Sequence, residues 1–201
     1  MPIIVQLIAP TIFKCFSYSI FTTPLIFCYL QIFEKLISGM YLGELTRLAI
    51  VDGIDKGVLN LPSTVFGVKG VFETRHLSEI EDDERDEFSN LNGVLSELGV
   101  DLNNITDFDR RTLRYICECV SFRAANLCGA GIAALANKLN RPKLTVGMDG
   151  SLYKFHPSFG RIMKAVARRL VSDYIDFEMK MAEDGSGRGA ALAVAAAVNR
   201  Q

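Results

Sequence analysis

The chain has 201 residues, of which 49% are hydrophobic and 22% charged, with a formal net charge of −1. This length allows one or two domains with a sizeable core, and the near-zero charge argues against a nucleic-acid partner, which favours a basic face. The cysteines show no zinc-ligand spacing, so we expect reduced and buried thiols. They are Cys15, Cys28, Cys117, Cys119 and Cys128.

The N-terminal segment is almost uncharged. Residues 1–33 carry one charge, Lys14, and residues 15–33 carry none. Residues 15–33 are long enough to span a membrane, but Pro24 and scattered Ser and Thr interrupt them, and Pro10 and Pro24 forbid one straight helix. The early basic residue and the Ala-x-Ala pattern of a signal peptide are both absent. A membrane anchor stays possible but is not favoured.

Helical periodicity begins at Gln31. It predicts one stripe of Ile32, Phe33, Leu36, Ile37 and Met40, extended by Leu45, Leu48 and Ala49. Gly57 predicts the helix end. Residues 60–72 hold one Pro and two Gly and are predicted to form a loop. Residues 74–101 predict one or two helices, with the acidic run Glu79–Glu87 at a solvated surface.

The second half of the chain predicts both helices and strands. Residues 105–140 predict a long helix capped by Thr106 or Asp107, in which Gly129 and Gly131 each cost about 1 kcal/mol relative to Ala unless another backbone packs closely. Residues 143–155 predict strand, Asp-Gly turn and strand. The remaining predicted elements are a helix after Pro157, a strand at 174–179, and a Gly-rich turn at 183–189 that precedes an Ala-rich helix.

Strands that alternate with helices predict an α/β fold. Only about three strands are predicted after residue 140, so the sheet looks like part of a larger one. Residues 183–189 place three Gly and a Ser before a helix, where an anion could bind, although the Gly-Lys-Ser/Thr of a Walker loop is absent. Ser151 and Lys154 beside the Asp-Gly turn could also meet a nucleotide. A plain hinge and a plain hairpin remain the structural alternatives.

Five segments resemble, in order and spacing, the C-terminal end of the eukaryotic hexokinase and glucokinase family. They are "QIFEKLISGMYLGELTRL", "GVFETRHLSEIEDD", "VSFRAANLCGAGIAALANK", "TVGMDGSLYKFHPSF" and "EDGSGRGAALAVAA". The resemblance covers about residues 31–199. It implies the actin-like ATPase fold of sugar kinases, in which two α/β domains close over hexose and ATP. It also implies transfer of the γ-phosphate of ATP to the 6-hydroxyl of glucose and related hexoses.

The resemblance also implies a domain division. Residues 1–30 resemble nothing in the family. Residues 31–184 would form part of the large domain, mainly its second half and rich in helix. Residues 185–201 would form the hinge and a C-terminal helix that returns to the small domain. We expect residues 1–30 to be translated non-coding sequence joined to a genuine exon, and a natural short isoform with a membrane anchor is the alternative.

The site residues follow from the same resemblance. Many relatives have Lys where Met40 stands, so no charge contact is expected there. Gln31 and Glu34 would bind the sugar from one helix face, one turn apart. The cofactor would be ATP with Mg²⁺. The positions that would contact the nucleotide are Gly39, Met40, Thr74, Arg75, His76, Leu77, Ser78, Ser151, Leu152, Tyr153, Lys154 and Phe155.

The family's first phosphate loop, its Asn-Asp-Thr stretch with the catalytic Asp and its second phosphate loop are not found among these residues. No catalytic residue is therefore assigned. We expect a cytoplasmic C-terminal fragment of a hexokinase that does not turn over alone. The alternative is a non-catalytic fragment that binds a nucleotide or a partner and is possibly associated with a membrane through residues 15–33.

Overall fold

The computed structural model describes residues 32–84, 87–181 and 195. The chain divides into two compact units, residues 1–127 and 128–201. Several predictions lie outside the described residues: those for the apolar segment 1–30, for Gln31, Cys15 and Cys28, and for the hinge and helix at 185–201.

The described part of the first unit is built from helices. The loop predicted at 60–72 is confirmed apart from one short helix, and the two helices predicted after residue 74 are confirmed. The long helix α6 begins in this unit and ends in the second. The bounds are α1 Ile32–Ile37, α2 Gly39–Asp55, α3 Ser63–Phe66, α4 Thr74–Asp82, α5 Ser89–Glu97, a 3₁₀ turn Leu102–Asn104, and α6 Asp107–Leu139.

The continuous apolar stripe predicted from Ile32 to Met40 is wrong. The chain breaks at Ser38, which is extended and whose hydroxyl accepts a hydrogen bond from the Met40 amide at 3.3 Å. This cap starts a new helix and changes which side faces the core, so that 79% of Met40 is exposed and Ile32 and Phe33 are exposed as well. Helix α2 buries Leu45 and Ala49, as predicted, together with Leu42 and Ile50, and Leu48 is half-buried. It ends at Asp55, before Gly57 at φ 67°, as predicted.

The core of the first unit gathers side chains from all of its longer helices. Each such side chain, when fully buried, contributes about 1.5–3 kcal/mol of hydrophobic stabilisation. Phe66 and Phe72, on either side of a tight turn, pack with ring centroids 6.5 Å apart. The largest fully buried apolar side chains of this unit are Leu42, Ile50, Phe66, Phe72, Leu77, Ile80, Leu91, Leu95, Leu113 and Ile116.

A partly buried ion pair holds the loop before α4. Arg47 donates to both carboxylate oxygens of Glu44, at 2.8 and 2.7 Å, and to the carbonyl of Phe66 at 2.7 Å. The Gly70 amide donates to Glu44 at 3.0 Å. Burial alone would raise the pKa of Glu44, but the bonds from Arg47 and Gly70 outweigh it and lower that pKa. The start of α4 is therefore fixed relative to α2.

The acidic run Glu79–Glu87 begins inside α4, and its described acidic side chains are exposed except for Glu81, which is half-buried, and Asp83. Asp83 is buried, and its carboxylate accepts hydrogen bonds from the amides of Asn90 and Leu91 at 2.8 and 2.9 Å. These amides lie in the first turn of α5, where a helix leaves its donors unpaired. The prediction of a purely solvated run is therefore wrong at Asp83, whose charge stabilises the next helix.

Thr106 caps α6, as predicted. Its hydroxyl accepts a hydrogen bond from the Asp109 amide at 3.2 Å, and the Asp109 carboxylate accepts one from the Thr106 amide at 3.0 Å. This reciprocal pair is a capping box. Asp109 also accepts a bond from the Asn60 amide at 2.8 Å, so one carboxylate ties the helix start to the loop after α2.

Helix α6 passes a length and hydropathy test for a membrane span, and is the one helix in the described ranges to do so. Buried residues along it include Leu113, Ile116, Val120 and Ala124, as in the core helix of a water-soluble domain, which passes the same test. The finding is therefore weak support for a membrane segment.

The thiols in the described part are free, as predicted. Cys117 is fully buried, and Cys119 and Cys128 are half-buried. Burial raises the pKa of Cys128 to about 11, so this thiol is protonated at neutral pH.

The second unit contains a parallel two-stranded sheet. Strand β1, Lys143–Met148, pairs with β2, Asp176–Met181, with Lys143 opposite Asp176 and Met148 opposite Met181. Two helices connect the strands, α7 Ser151–Phe155 and α8 Phe159–Leu170. The predicted helix after Pro157 and the predicted strand near 174–179 are both confirmed.

The hairpin predicted across residues 143–155 is wrong. After Gly150, at φ 134°, the chain forms α7 and not a strand, with the Lys154 amide donating to the carbonyl of Gly150 at 3.2 Å. Parallel strands need a crossover connection, usually helical, and β1 finds its partner in β2. The alternation of polar and apolar residues over residues 151–155 did not distinguish a second strand from a short helix.

Close packing explains one glycine of α6. A Cβ on Gly129 would lie 2.6 Å from the carbonyl oxygen of Met163 and 2.8 Å from Cβ of Val166, both in α8. Only glycine permits this approach, as predicted. One buried apolar cluster of this unit consists of Ala133, Ala136, Ala167, Val171, Ile175 and Phe177.

Candidate nucleotide-binding site

The Thr74 hydroxyl joins the starts of α2 and α4. It donates a hydrogen bond to the carbonyl of Gly39 and accepts one from the Gly43 amide at 2.9 Å. A regular helix joins this carbonyl and this amide to each other, so the hydroxyl enters the first turn of α2. The structure thus brings together two of the predicted nucleotide positions, Gly39 and Thr74, and holds Met40 beside them.

Glycine at position 43 makes this junction possible. A Cβ there would lie 2.5 Å from the carbonyl oxygen of Phe72 and 2.6 Å from the amide nitrogen of Thr74. Both are backbone atoms that no side-chain rotation can move. The two helices approach each other at the distance that a missing side chain allows.

Two of the predicted contact residues in α4 point inward. Leu77 is fully buried and 1% of His76 is exposed, so both side chains support the helix and do not face a ligand. The Glu73 amide donates to Nδ1 of His76 at 3.0 Å, within a capping box. Because Nδ1 accepts, the proton of a neutral His76 lies on Nε2, which is 3.5 Å from Oε1 of Glu97.

Arg75 is exposed but surrounded by carboxylates. Its Nε donates to Glu73 at 2.9 Å, its Nη1 donates to Glu97 at 3.1 Å, and its Nη2 also binds Glu97. Glu79 lies 3.6 Å from Nη1. These hydrogen bonds, the one to Glu97 first, raise the pKa of Arg75, and the bond from Arg75 is the main cause that lowers the pKa of Glu97.

The remaining predicted contact residues in the first unit are Ser78 and the sugar-binding candidates Glu34 and Gln31. The Ser78 hydroxyl donates to the carbonyl of Thr74 at 3.3 Å and is half-buried. Glu34 lies exposed on α1, while its predicted partner Gln31 is outside the described residues.

The positions predicted in the second unit form α7 and its flanks. Ser151, Lys154 and Phe155 are exposed, while Leu152 and Tyr153 are half-buried. The Lys154 ammonium lies 5.2 Å from the centroid of the Phe155 ring. A Cβ on Gly160 would lie 2.9 Å from the Tyr153 ring, so this glycine lets the tyrosine pack against α8.

His156 organises the turn after α7. Its Nδ1 accepts hydrogen bonds from the amides of Ser158 and Phe159, both at 3.2 Å. These amides lie at the start of α8, so His156 is buried as a helix cap, which accounts for it without catalysis.

A family model described as Hexokinase matches residues 29–196. The chain belongs to the hexokinase family. Among curated relatives, human Hexokinase-1 is 44% identical over 176 residues, which are 84% of this chain and 19% of the relative. The Hexokinase of Schistosoma mansoni is 41% identical over 174 residues, which are 85% of this chain and 38% of the relative.

A solved hexokinase from Schistosoma mansoni, complexed with glucose, superposes on this hexokinase-family chain with a TM-score of 0.77. The identity is 39%, and the match covers 88% of this chain and 40% of that one. Another solved hexokinase superposes with a TM-score of 0.65 at 24% identity, which supports the fold alone. The predicted class, a partial sugar-kinase fold, is thereby confirmed. The chain spans about a fifth to two fifths of the relatives it matches.

The sequence did not reveal the role of Glu97 in this hexokinase-family chain. Glu97 lies 22 residues after its partner Arg75, and no periodicity links positions at the start of one helix and the end of the next. The carboxylate of Glu73 was also missed, although an acidic residue just before a helix is a recognisable cap signal.

Proposed function

We propose that this chain forms the nucleotide-binding part of an ATP-dependent hexokinase, which transfers the γ-phosphate of ATP to the 6-hydroxyl of hexoses such as glucose. The observation that carries the proposal is the family match over residues 29–196. The glucose named for the matched Schistosoma mansoni structure supports a hexose as the substrate.

In the first unit we assign nucleotide contacts to the surface around the Thr74 hydroxyl. Met40 offers an apolar side chain that is 79% exposed, and Arg75 offers an exposed positive charge. Thr74 and Ser78 hold the backbone of the α2 and α4 starts. His76 and Leu77, which are buried, support α4 from inside.

In the second unit the exposed side chains of α7 carry the proposed contacts. Ser151 supplies a hydroxyl, Lys154 a cation and Phe155 an aromatic ring that is 69% exposed. A ring and a cation suit a nucleotide, since the base stacks on the ring and phosphates attract the cation. Leu152 and Tyr153 would anchor α7 beneath these contacts.

Magnesium would accompany the phosphates. Mg²⁺ is usually held by one or two carboxylates together with substrate phosphates. Over residues 32–84 and 87–181, no group of three or more His, Cys, Asp or Glu side chains is placed to hold a metal ion. The nucleotide phosphates and water would therefore provide most of the ligands.

Hexose binding is assigned to Gln31 and Glu34, but these two side chains alone cannot enclose a sugar. A ligand whose hydroxyl groups stay in open solvent gains little net free energy from a single hydrogen bond. Saturable millimolar glucose binding that disappears in Glu34→Ala would show this reasoning to be wrong.

The 201 residues are not expected to turn over alone. Phosphoryl transfer depends on groups positioned around the γ-phosphate and Mg²⁺, and the family's phosphate loops and catalytic Asp do not occur in the sequence. This observation favours a second candidate function, a non-catalytic nucleotide-binding polypeptide. We place the protein in the cytoplasm, because the free thiols suit a reducing compartment, and a membrane anchor at residues 15–33 stays the alternative.

Isothermal titration calorimetry of the full chain with ADP, beside a coupled assay for glucose 6-phosphate, tests the proposal. We expect weak, saturable ADP binding and no turnover. The paired variant Ser151→Ala/Lys154→Ala should bind ADP more weakly. Absence of ADP binding would refute the nucleotide-binding proposal, and the affinity of a complete kinase would show that the missing loops matter less than we propose.

A further inference from the structure

Glu97 occupies the position that an anionic ligand of Arg75 would need. It is the last residue of α5, its side chain is 47% exposed, and its two oxygens bind the two terminal nitrogens of Arg75. Carboxylate and phosphate groups use the same paired hydrogen-bond geometry on a guanidinium. The Glu97 carboxylate and a nucleotide phosphate would therefore bind the same edge of the Arg75 guanidinium.

The other carboxylates near Arg75 also oppose binding of a phosphate. Glu73 takes the Nε donor at 2.9 Å and Glu79 lies 3.6 Å from Nη1, so three carboxylates meet one guanidinium. A phosphate that approached this cluster would lose hydrogen bonds already made to Glu97. It would also be repelled by the surrounding negative charge.

We infer that Glu97 competes with the phosphates of the nucleotide for Arg75 and so lowers the affinity of this chain for nucleotide phosphates. The inference rests on the proposed function, in which Arg75 contacts the nucleotide. Glu97 is then an affinity-determining residue that does not itself touch the ligand. Its removal strengthens binding, whereas removal of an ordinary contact residue weakens it.

Glu97 is suited to a clean substitution. Exposed ion pairs contribute little to stability, so Glu97→Gln should fold. The amide oxygen can still accept from one nitrogen of Arg75 and face Nε2 of His76, while the charge is gone. Glu97→Ser serves as a second variant that also removes the acceptor pair.

A matched control lies on α6. Glu118 is 49% exposed and pairs at 3.0 Å with Arg114, which is 19% exposed, so Glu118→Gln removes the same charge from a carboxylate as exposed as that of Glu97. Comparing it with Glu97→Gln separates a local effect at Arg75 from a change in net charge.

The test is calorimetric titration of the full chain with ADP and with adenosine, without added metal ion. We expect Glu97→Gln and Glu97→Ser to bind ADP roughly two- to fivefold more tightly than the unsubstituted chain, the range that removal of an exposed charge pair allows. Adenosine, which has no phosphate, should bind all three equally. The gain should vanish in Arg75→Ala/Glu97→Gln and be absent in Glu118→Gln.

The outcomes separate the two proposals. If the unsubstituted chain binds ADP and Glu97→Gln binds it no more tightly, Glu97 is not a competitor and nucleotide binding stands. A gain that persists without Arg75, or that appears equally for adenosine or in Glu118→Gln, also overturns the inference. If neither the unsubstituted chain nor Glu97→Gln binds ADP, the nucleotide-binding proposal and this inference are both wrong.

Discussion

Substitution of Gly43 by Ala should separate the starts of α2 and α4. The new Cβ would lie 2.5 Å from the Phe72 oxygen and 2.6 Å from the Glu73 carbonyl carbon and the Thr74 nitrogen. All three are backbone atoms, so a helix has to move. Overpacking of this kind costs about 1–3 kcal/mol, occasionally more, whereas Ala in a free helix position gains up to about 1 kcal/mol over Gly.

Gly93 provides the matched control. It lies inside α5, and a Cβ there would meet nothing within 4 Å. Urea unfolding followed by circular dichroism should therefore show Gly43→Ala less stable than the unsubstituted chain by up to about 2 kcal/mol, after the helix-propensity gain is subtracted from the overpacking cost. Gly93→Ala should be slightly more stable. Equal stabilisation of both variants would refute the close approach of α2 and α4.

Three further predictions concern single side chains. Thr74→Val, which keeps the shape but not the hydroxyl, should lower the free energy of unfolding in urea by about 1–3 kcal/mol, because its methyl group still separates the Gly39 carbonyl from the Gly43 amide and bonds to neither. Thr74→Ser should be close to neutral, and equal loss in both variants would contradict the bridging role. Thr106→Ala should cost about 0.5–2 kcal/mol by removing the α6 cap, and an unchanged unfolding midpoint would argue against the capping box. Burial alone would raise the pKa of Asp109, but hydrogen bonds from Asn60 and Thr106 lower it. Its contribution to the free energy of unfolding is therefore complete above the unfolded-state pKa of about 3.9 and is lost as the pH falls through the lower folded-state pKa. Asp109→Asn should flatten the slope of the free energy of unfolding against pH in this range.

Local signals in the sequence predicted the elements they control. A capping residue and a long periodic run predicted α6 from Thr106 onward, and Gly129 indicated close packing of another backbone, which the structure shows to be that of α8. Such features depend on residues that are neighbours along the chain or on the size of one side chain, so the sequence displays them directly.

Tertiary contacts determined the structure of two segments whose local sequence pattern predicted a different one. Residues 32–40 have helical apolar spacing, yet Ser38 caps a new helix and leaves Met40 exposed. Residues 151–155 alternate like a strand, yet β1 takes a parallel partner 33 positions away, with Lys143 opposite Asp176, and the intervening chain becomes helical.

In the candidate site, too, local sequence and tertiary contacts determine different features. The resemblance implied nucleotide contacts in the segments around residues 74–78 and 151–155, but it did not imply which of their side chains face outward. Burial of His76 and Leu77 depends on how α4 packs against the rest of its unit. The pairing of Arg75 with Glu97 depends on how α4 and α5 lie together, which no local pattern encodes.

Titration of ADP into ¹⁵N-labelled full chain, followed through backbone amide shifts, tests the nucleotide-binding proposal most directly. We predict saturable shifts concentrated at residues 39–40, 74–78 and 151–155, with an affinity weaker than that of a complete kinase. Shifts confined to other regions, or none at millimolar ADP, would contradict the assignment of this chain as the nucleotide-binding part of a hexokinase.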